Sequence, residues 1–229
     1  ALVEGKDLFV EDDNVYMKTV KGPLKVDCIY RRLDDSFLDP KVFNKDSLIG
    51  VPGLFKCWLK KNVGILNAIG TGVADDKVVY SYVNRMITYY LGEQPLLNQV
   101  ETYLCHEEDQ KKYVLENLSK LVVKPANASG GYGLMIGPKA PKKEIEEVRQ
   151  KILKNPREFI AQPLEVLSTG PTITNNNIEP RHVDLRPFVL TGKSNYVTSG
   201  GLTRVALRKG STIVNSSQGG GSKDTLIVG

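Results

Sequence analysis

The chain has 229 residues and a mass of 25.3 kDa, room for one large or two small domains, and its 41% apolar content excludes a disordered chain. Its net charge of +5 is spread along the sequence without a like-charge block, and only 7% of residues are aromatic, so no basic stripe or stacking platform points to nucleic acid. Cys28, Cys57 and Cys105 fit neither a metal knuckle nor a disulfide framework, which points to a reducing cytoplasm, and no apolar run approaches the roughly 18 residues of a membrane span.

The N-terminal stretch reads as two β-prone runs, Leu8-Phe9-Val10 and Val15-Tyr16-Met17, around an Asp12-Asp13-Asn14 turn, with a further strand over residues 26–30. Those acidic residues are read as turn chemistry rather than as a cation site. Residues 34–72 carry Asp-Pro, Val-Pro-Gly and further glycines, and the expectation is a loop-rich connection with at most one short helix near residues 54–61. Apolar residues at helical spacing from Val78 to Tyr90, opened by Asp75 and Asp76, predict a helix over residues 75–91.

A second helix is expected over 109–118, then a buried strand ending at Lys124-Pro125, a glycine-rich turn, and a partner strand at Leu134-Met135-Ile136. Residues 141–155 read as a charged helix with Pro141 in its first turn, and 158–162 as another strand. Short strands at 183–190, 195–198, 202–207 and 211–215, split by Gly-Lys, Gly-Gly and Lys-Gly turns, make the last third mostly antiparallel sheet.

Several segments carry candidate chemistry. The turn Ser129-Gly130-Gly131-Tyr132-Gly133 follows Lys124 at a strand end. Glycine amides approach an anion closely and the lysine adds a positive charge, so phosphate is one reading and a flexible hairpin with a solvated lysine is the other. No Walker loop occurs, and Gly70-Thr71-Gly72 has Asp75 where a dinucleotide fingerprint needs glycine. Asp184 and Arg186 lie two apart and share a strand face beside His182, either around a ligand or as a solvated row. With two histidines in the chain and no thiol nearby, His182 reads as a hydrogen-bonded strand residue rather than a metal ligand. Arg204 lies in an apolar strand and needs an anionic partner, protein or phosphate. The polar, glycine-rich segment 214–225 passes for a linker but leads to Leu226-Ile227-Val228.

Taken together, Tyr30-Arg31-Arg32-Leu33-Asp34-Asp35, Gly50-Val51-Pro52-Gly53-Leu54, the segment from Asn67 to Lys77, Arg181-His182-Val183-Asp184-Leu185-Arg186-Pro187-Phe188 and the 215–225 tail resemble the circularly permuted ATP-grasp type 2 family, which is related to glutathionylspermidine synthase. The resemblance runs from about Leu2 to Val228. It implies an α+β fold of antiparallel sheets with flanking helices, here an incomplete fragment, with an N-terminal segment at 1–72, a nucleotide-binding lobe at 73–165 and a core sheet at 166–229.

The activity that the resemblance implies is an ATP-dependent carboxylate–amine ligase working through an acyl phosphate, on a small carboxylate and an amine or peptide. A non-catalytic nucleotide- or partner-binding module of the same fold is the alternative. Lys77 and Lys124 would touch the nucleotide phosphates under a lid of Ser129, Gly130, Gly131 and Gly133. Gln162, Pro163 and Leu164 would form the hinge that reads the adenine edge, with Glu165 on the ribose. Arg186 and Arg204 would face the γ-phosphate and the acyl phosphate, Asp184 would orient Arg186, and Asn215 with Gly219 to Gly221 would line the cleft. Mg²⁺ is implied, yet no Glu-x-Asn occurs; in the permuted order its ligands are expected upstream of Ala1.

Overall fold

A computed structural model describes residues 1–128, 132–174, 176–214 and 219–227. The chain divides into two compact units, Ala1–Tyr80 and Ser81–Gly229.

In the first unit, β1 (Leu8–Glu11) and β2 (Asn14–Met17) form an antiparallel hairpin. Asp12 and Asp13 both take positive φ, 46° and 59°, the left-handed pair that matches the twist of a two-residue hairpin loop. Asp13 also pairs with Lys56 at 2.7 Å and with Lys60, and these two ammoniums hold its carboxyl below the usual carboxylate range. Strand β3 (Leu24–Lys25) extends the hairpin, and β4 (Cys28–Tyr30) pairs with β5 (Gly64–Leu66) in parallel.

Two helices, α1 (Asp35–Leu38) and α2 (Leu54–Leu59), lie between β4 and β5. The expectation of at most one helix in this region is corrected. A single turn at α1 is stabilised by Asp34, whose carboxylate accepts the Ser36 N–H at 3.0 Å. The short Gly-Ile-Leu strand is fixed by its distant parallel partner rather than by any local pattern.

Val15, Leu38, Val51, Leu54, Cys57, Val63 and Ile65 form the core of this unit. Asp39, fully buried, is surrounded by donors: its carboxylate accepts the N–H of Lys41 at 2.9 Å, of Gly53 at 3.0 and 3.1 Å, and of Phe55 at 2.9 Å. A buried anion is tolerable there because three backbone donors replace its water shell.

The helix α3 (Lys77–Leu91) begins two residues later than expected, because residues 71–75 form a 3₁₀ turn. Asp76 caps α3 by accepting the Val78 N–H at 2.8 Å. The central sheet of the second unit comprises β6 (Tyr103–Leu104), β7 (Leu121–Pro125), β8 (Met135–Ile136) and β9 (Phe159–Pro163) in the order β6-β9-β7-β8, every pair antiparallel. α4 (Glu108–Asn117) and α5 (Lys142–Lys154) supply the flanking helices. Val114, Leu118, Val148 and Ile152 from the helical segments pack with Leu121, Val123, Met135 and Ala161 from the sheet. Pro141 lies at the N-cap of α5 and not in its first turn; either position suits a residue with no N–H to offer.

Four further strands form one antiparallel sheet in sequence order: β10 (Thr169–Thr174), β11 (Asn177–Thr191), β12 (Asn195–Val205) and β13 (Gly221–Leu226). The expected succession of short strands is corrected here. Gly200 and Gly201 continue β12 rather than breaking it, and a Cβ at Gly201 would stand 3.0 Å from the Arg186 carbonyl oxygen, so glycine permits a close approach of two backbones. Residues 211–214 form no strand. Arg181, buried to 6% exposure, donates to the carbonyls of Leu207 and Pro180 at 3.0 Å and to Glu179 at 2.8 Å. Lys223 on β13 reaches the Pro171 carbonyl on β10, so the sheet curls until its two edge strands are tied by a side chain.

Candidate functional site

Strand alternation decides what surrounds Lys124. Leu121 and Val123 turn toward the α4 and α5 core, which leaves Val122 and Lys124 on the opposite face. Gln162 on β9 pairs with Val122 and is therefore the diagonal neighbour of Lys124. The Lys124 ammonium donates to Gln162 Oε1 at 2.5 Å, and Gln162 Nε2 donates to Thr102 Oγ1 at 2.9 Å. Thr102 gives its own proton to the Val100 carbonyl at 2.9 Å. The hydroxyl can then only accept from Gln162, which turns the amide oxygen toward the lysine. Gln162 is 8% exposed, so this buried amide has both ends satisfied.

Pro163 ends β9, with Leu164 and Glu165 exposed beyond it. Gly133 on the return to β8 has φ +71°, and a Cβ there would lie 2.9 Å from Pro125 Cγ, so this position requires glycine on both counts. The other expected lid residues, Ser129, Gly130 and Gly131, lie outside the described residues, as does Asn215. Gly219 takes a φ of +82° ahead of Gly221, the first residue of β13.

On the curled sheet, Asp184 and Arg204 are direct cross-strand partners. Arg186 is two residues along from Asp184, so all three share one face. The Arg186 guanidinium pairs with the Asp184 carboxylate at 3.0 Å, with side chains 46% and 27% exposed. His182 Nδ1 lies 2.8 Å from the Leu167 carbonyl, an acceptor only, so that ring nitrogen carries the proton. Lys77, in the first unit, opens α3. Burial pushes its ammonium below the ordinary lysine range, against the pull of Asp76 and Asp75. A partly desolvated ammonium of this kind gains more from an incoming anion than a hydrated one does.

Residues 1–206 match the family model for circularly permuted ATP-grasp type 2 proteins. The chain belongs to this family. It is similar to an uncharacterised protein of Synechocystis sp., 57% identical over 99% of this chain and 47% of the relative, and to one of Mycobacterium tuberculosis, 54% identical over 99% of this chain and 41% of the relative. A Frankia casuarinae protein named "Putative glutamate--cysteine ligase 2-2" is 50% identical over 99% of this chain and 26% of its own length. The chain thus spans less than half the length of these curated relatives.

Within this ATP-grasp chain, then, Lys124 and Gln162 are brought together, as are Asp184, Arg186 and Arg204. Thr102 escaped the sequence reading because a lone threonine ahead of a two-residue strand gives no local signal. Among the described residues no group of three or more His, Cys, Asp or Glu side chains could hold a metal ion, and no helix is long and apolar enough to cross a membrane.

Proposed function

We propose that this chain is the nucleotide-handling part of an ATP-dependent carboxylate–amine ligase acting through an acyl phosphate. What carries the reading is the seating of Lys124 on Gln162, at the strand end that leads into the glycine-rich turn, in a chain matched to an ATP-grasp family. A lysine fixed by a buried amide presents a positive charge with little freedom left to lose, which suits a nucleotide phosphate.

In the proposed reaction a carboxylate oxygen of the acid attacks the γ-phosphorus, the bond from that phosphorus to the bridging oxygen breaks, and ADP leaves. The amine nitrogen then attacks the acyl carbon, phosphate departs with the electron pair of the C–O bond, and the nitrogen loses a proton to give the amide. Lys77 and Lys124 bind phosphate oxygens, and Ser129, Gly130, Gly131 and Gly133 fold over them. The backbone at Gln162, Pro163 and Leu164 reads the adenine edge and Glu165 meets the ribose. Arg186, oriented by Asp184, and Arg204 stabilise the charge that develops between phosphate and carboxylate, and Asn215 lines the same cleft. ATP-grasp chemistry uses a divalent cation on the phosphates; no step is assigned to it through residues of this chain.

Calorimetric titration of a non-hydrolysable ATP analogue with Mg²⁺ tests the nucleotide reading. Loss of a charge-assisted contact of roughly 1.5–3 kcal/mol in Lys124→Ala should weaken binding by about 10- to 150-fold. Equal affinity in parent and variant would sink it. Nucleotide binding by the longer protein without acid- and amine-dependent ADP release would favour a binding module over a ligase.

A further inference from the structure

The first unit holds an open polar cleft of about 380 Å³ between the turn after β4 and the turn after β5, within the range of roughly 300–1,000 Å³ common for small-molecule sites. Its back wall is fixed by Arg31, 9% exposed. That guanidinium donates to the carbonyls of Asn67 and Leu33 at 2.5 Å and of Ala68 at 3.0 Å, and pairs with Asp35 at 2.5 Å. Asn67 returns a bond to the Arg31 carbonyl at 3.2 Å, and Asp35 Oδ2 accepts the Gly70 N–H at 3.0 Å. Two turns more than thirty residues apart are thereby held together, and Arg31 is fully committed to that role.

The groups facing the opening are not committed in this way. The side chains of Arg32 and Asp75 are exposed and make no hydrogen bond or contact ion pair among the described residues, although Asp75 attracts Lys77 at longer range. Asp34 uses one carboxylate oxygen to accept the Ser36 hydroxyl at 2.7 Å and N–H at 3.0 Å; these bonds hold it below the usual carboxylate range, so it faces the cleft as an anion. Asp35 Oδ1 is buried and, beyond its ion pair, accepts no hydrogen bond.

Gly72 adds an independent sign. Its φ is not in the left-handed region, and the nearest atom to a Cβ built there would be Asp35 Oδ2 at 3.7 Å. Neither backbone nor packing demands glycine at this position; a side chain would instead stand over the Asp35 carboxylate and close the cleft.

The charges select a ligand. Arg31 and Asp35 neutralise each other, which leaves among the lining residues one cation, Arg32, and two anions, Asp34 and Asp75, the latter also attracting Lys77 two positions along the chain. A phosphate would meet a net negative cleft, and the described residues contain no group of three His, Cys, Asp or Glu side chains able to take a metal ion. A molecule with one carboxylate and one ammonium satisfies both ends. We propose that this cleft binds a free α-amino acid, its carboxylate on Arg32 and its ammonium between Asp34 and Asp75. The proposal stands on the cleft and is independent of the ligase reading.

The test is calorimetric titration of the 229-residue chain with L-alanine, L-glutamate and L-lysine, then with the N-acetyl and carboxamide forms of the tightest binder. The free amino acid should bind about tenfold or more tightly than either blocked form, each of which forfeits one charge-assisted contact. Arg32→Ala should lower affinity for the free amino acid to that for its amide, and Asp75→Asn should weaken the free amino acid and the amide alike. Both side chains are exposed and make no hydrogen bond or contact ion pair among the described residues, so the circular dichroism of each variant should match the parent. No binding of any of the three amino acids, equal binding of free and blocked forms, or unchanged affinity in Arg32→Ala would each overturn the proposal. The ATP analogue is titrated separately against Lys124→Ala, so a failure of the nucleotide reading and a failure here give different results.

Discussion

Replacing Asp39 with asparagine changes one oxygen to an NH₂ and almost nothing in volume, yet three backbone donors converge on that carboxylate. Gly53 reaches both oxygens, whereas Lys41 is served by Oδ1 alone and Phe55 by Oδ2 alone. Either orientation of the amide therefore leaves one of the latter two N–H groups facing another donor, at a cost of roughly 1–3 kcal/mol. The two surviving bonds lose their charge assistance, about 1 kcal/mol each. Relief from burying an anion returns part of this, which sets the expected loss at about 2–4 kcal/mol. Trp58 is the single tryptophan, lies in α2 and packs tilted against Phe55 with ring centroids 5.6 Å apart, so its fluorescence during urea unfolding reports on the first unit. Asp39→Asn should move that transition down by about 1 M urea or more, whereas Asp12→Asn, at an exposed left-handed position that asparagine tolerates, should leave it in place. A transition for Asp39→Asn within about 0.5 kcal/mol of the parent would refute the account.

Thiol labelling should distinguish exposed Cys28 from buried Cys57 and Cys105, with one cysteine alkylated in the native chain and all three in denaturant. Burial pushes the Cys105 thiol up to about 12, so the neutral thiol is favoured in the folded state and the unfolded chain ionises first on raising pH. The stability this contributes is present below the unfolded thiol pKa of about 8.5 and is lost as pH climbs toward the folded value; Cys105→Ala should show a shallower alkaline loss in thermal melts. Gly133→Ala should cost about 1–2 kcal/mol from left-handed backbone and the Pro125 contact, read as faster amide exchange in β7 and β8; unchanged exchange would count against the crowding argument. Arg181→Leu should destabilise by roughly 1–3 kcal/mol because the carbonyls of Leu207 and Pro180 lose their buried donor, and a melting temperature equal to the parent's would contradict this.

Elements whose signals are local could be read from residue order. The Asp12-Asp13 hairpin, α3, α4, α5 and the strands around Lys124 all rest on turn chemistry or on apolar spacing within a dozen residues, and their boundaries moved by only one or two positions. β5, β10 and β13 had no such signal. Thr-Gly-Pro-Thr-Ile-Thr and Gly-Ser-Lys-Asp-Thr-Leu become strands because β11 and β12 offer them ladders, a tertiary effect that overrides weak propensity. The candidate site divides in the same way. Asp184 and Arg186 share a face by counting alone, but the opposition of Arg204 to Asp184 needed the register. The Lys124 to Gln162 contact needed the β7–β9 pairing, and Thr102 became visible only through its hydroxyl bond.

The curled sheet of β10 to β13 also bears on how this chain avoids its own kind. Its long central strands carry exposed Phe188, Val189, Leu190, Tyr196 and Val197, a composition that invites strand addition wherever backbone amides and carbonyls lie open. The outer strands discourage it. β10 carries Pro171, which offers no N–H, and β13 carries the adjacent charges Lys223 and Asp224; Lys223 further occupies the Pro171 carbonyl from the far side of the sheet. One lysine thus serves as a clasp that draws the sheet into a curl and blunts both borders against a second molecule, so its replacement by a short apolar residue should reveal itself first in filter retention and light scattering rather than in folding.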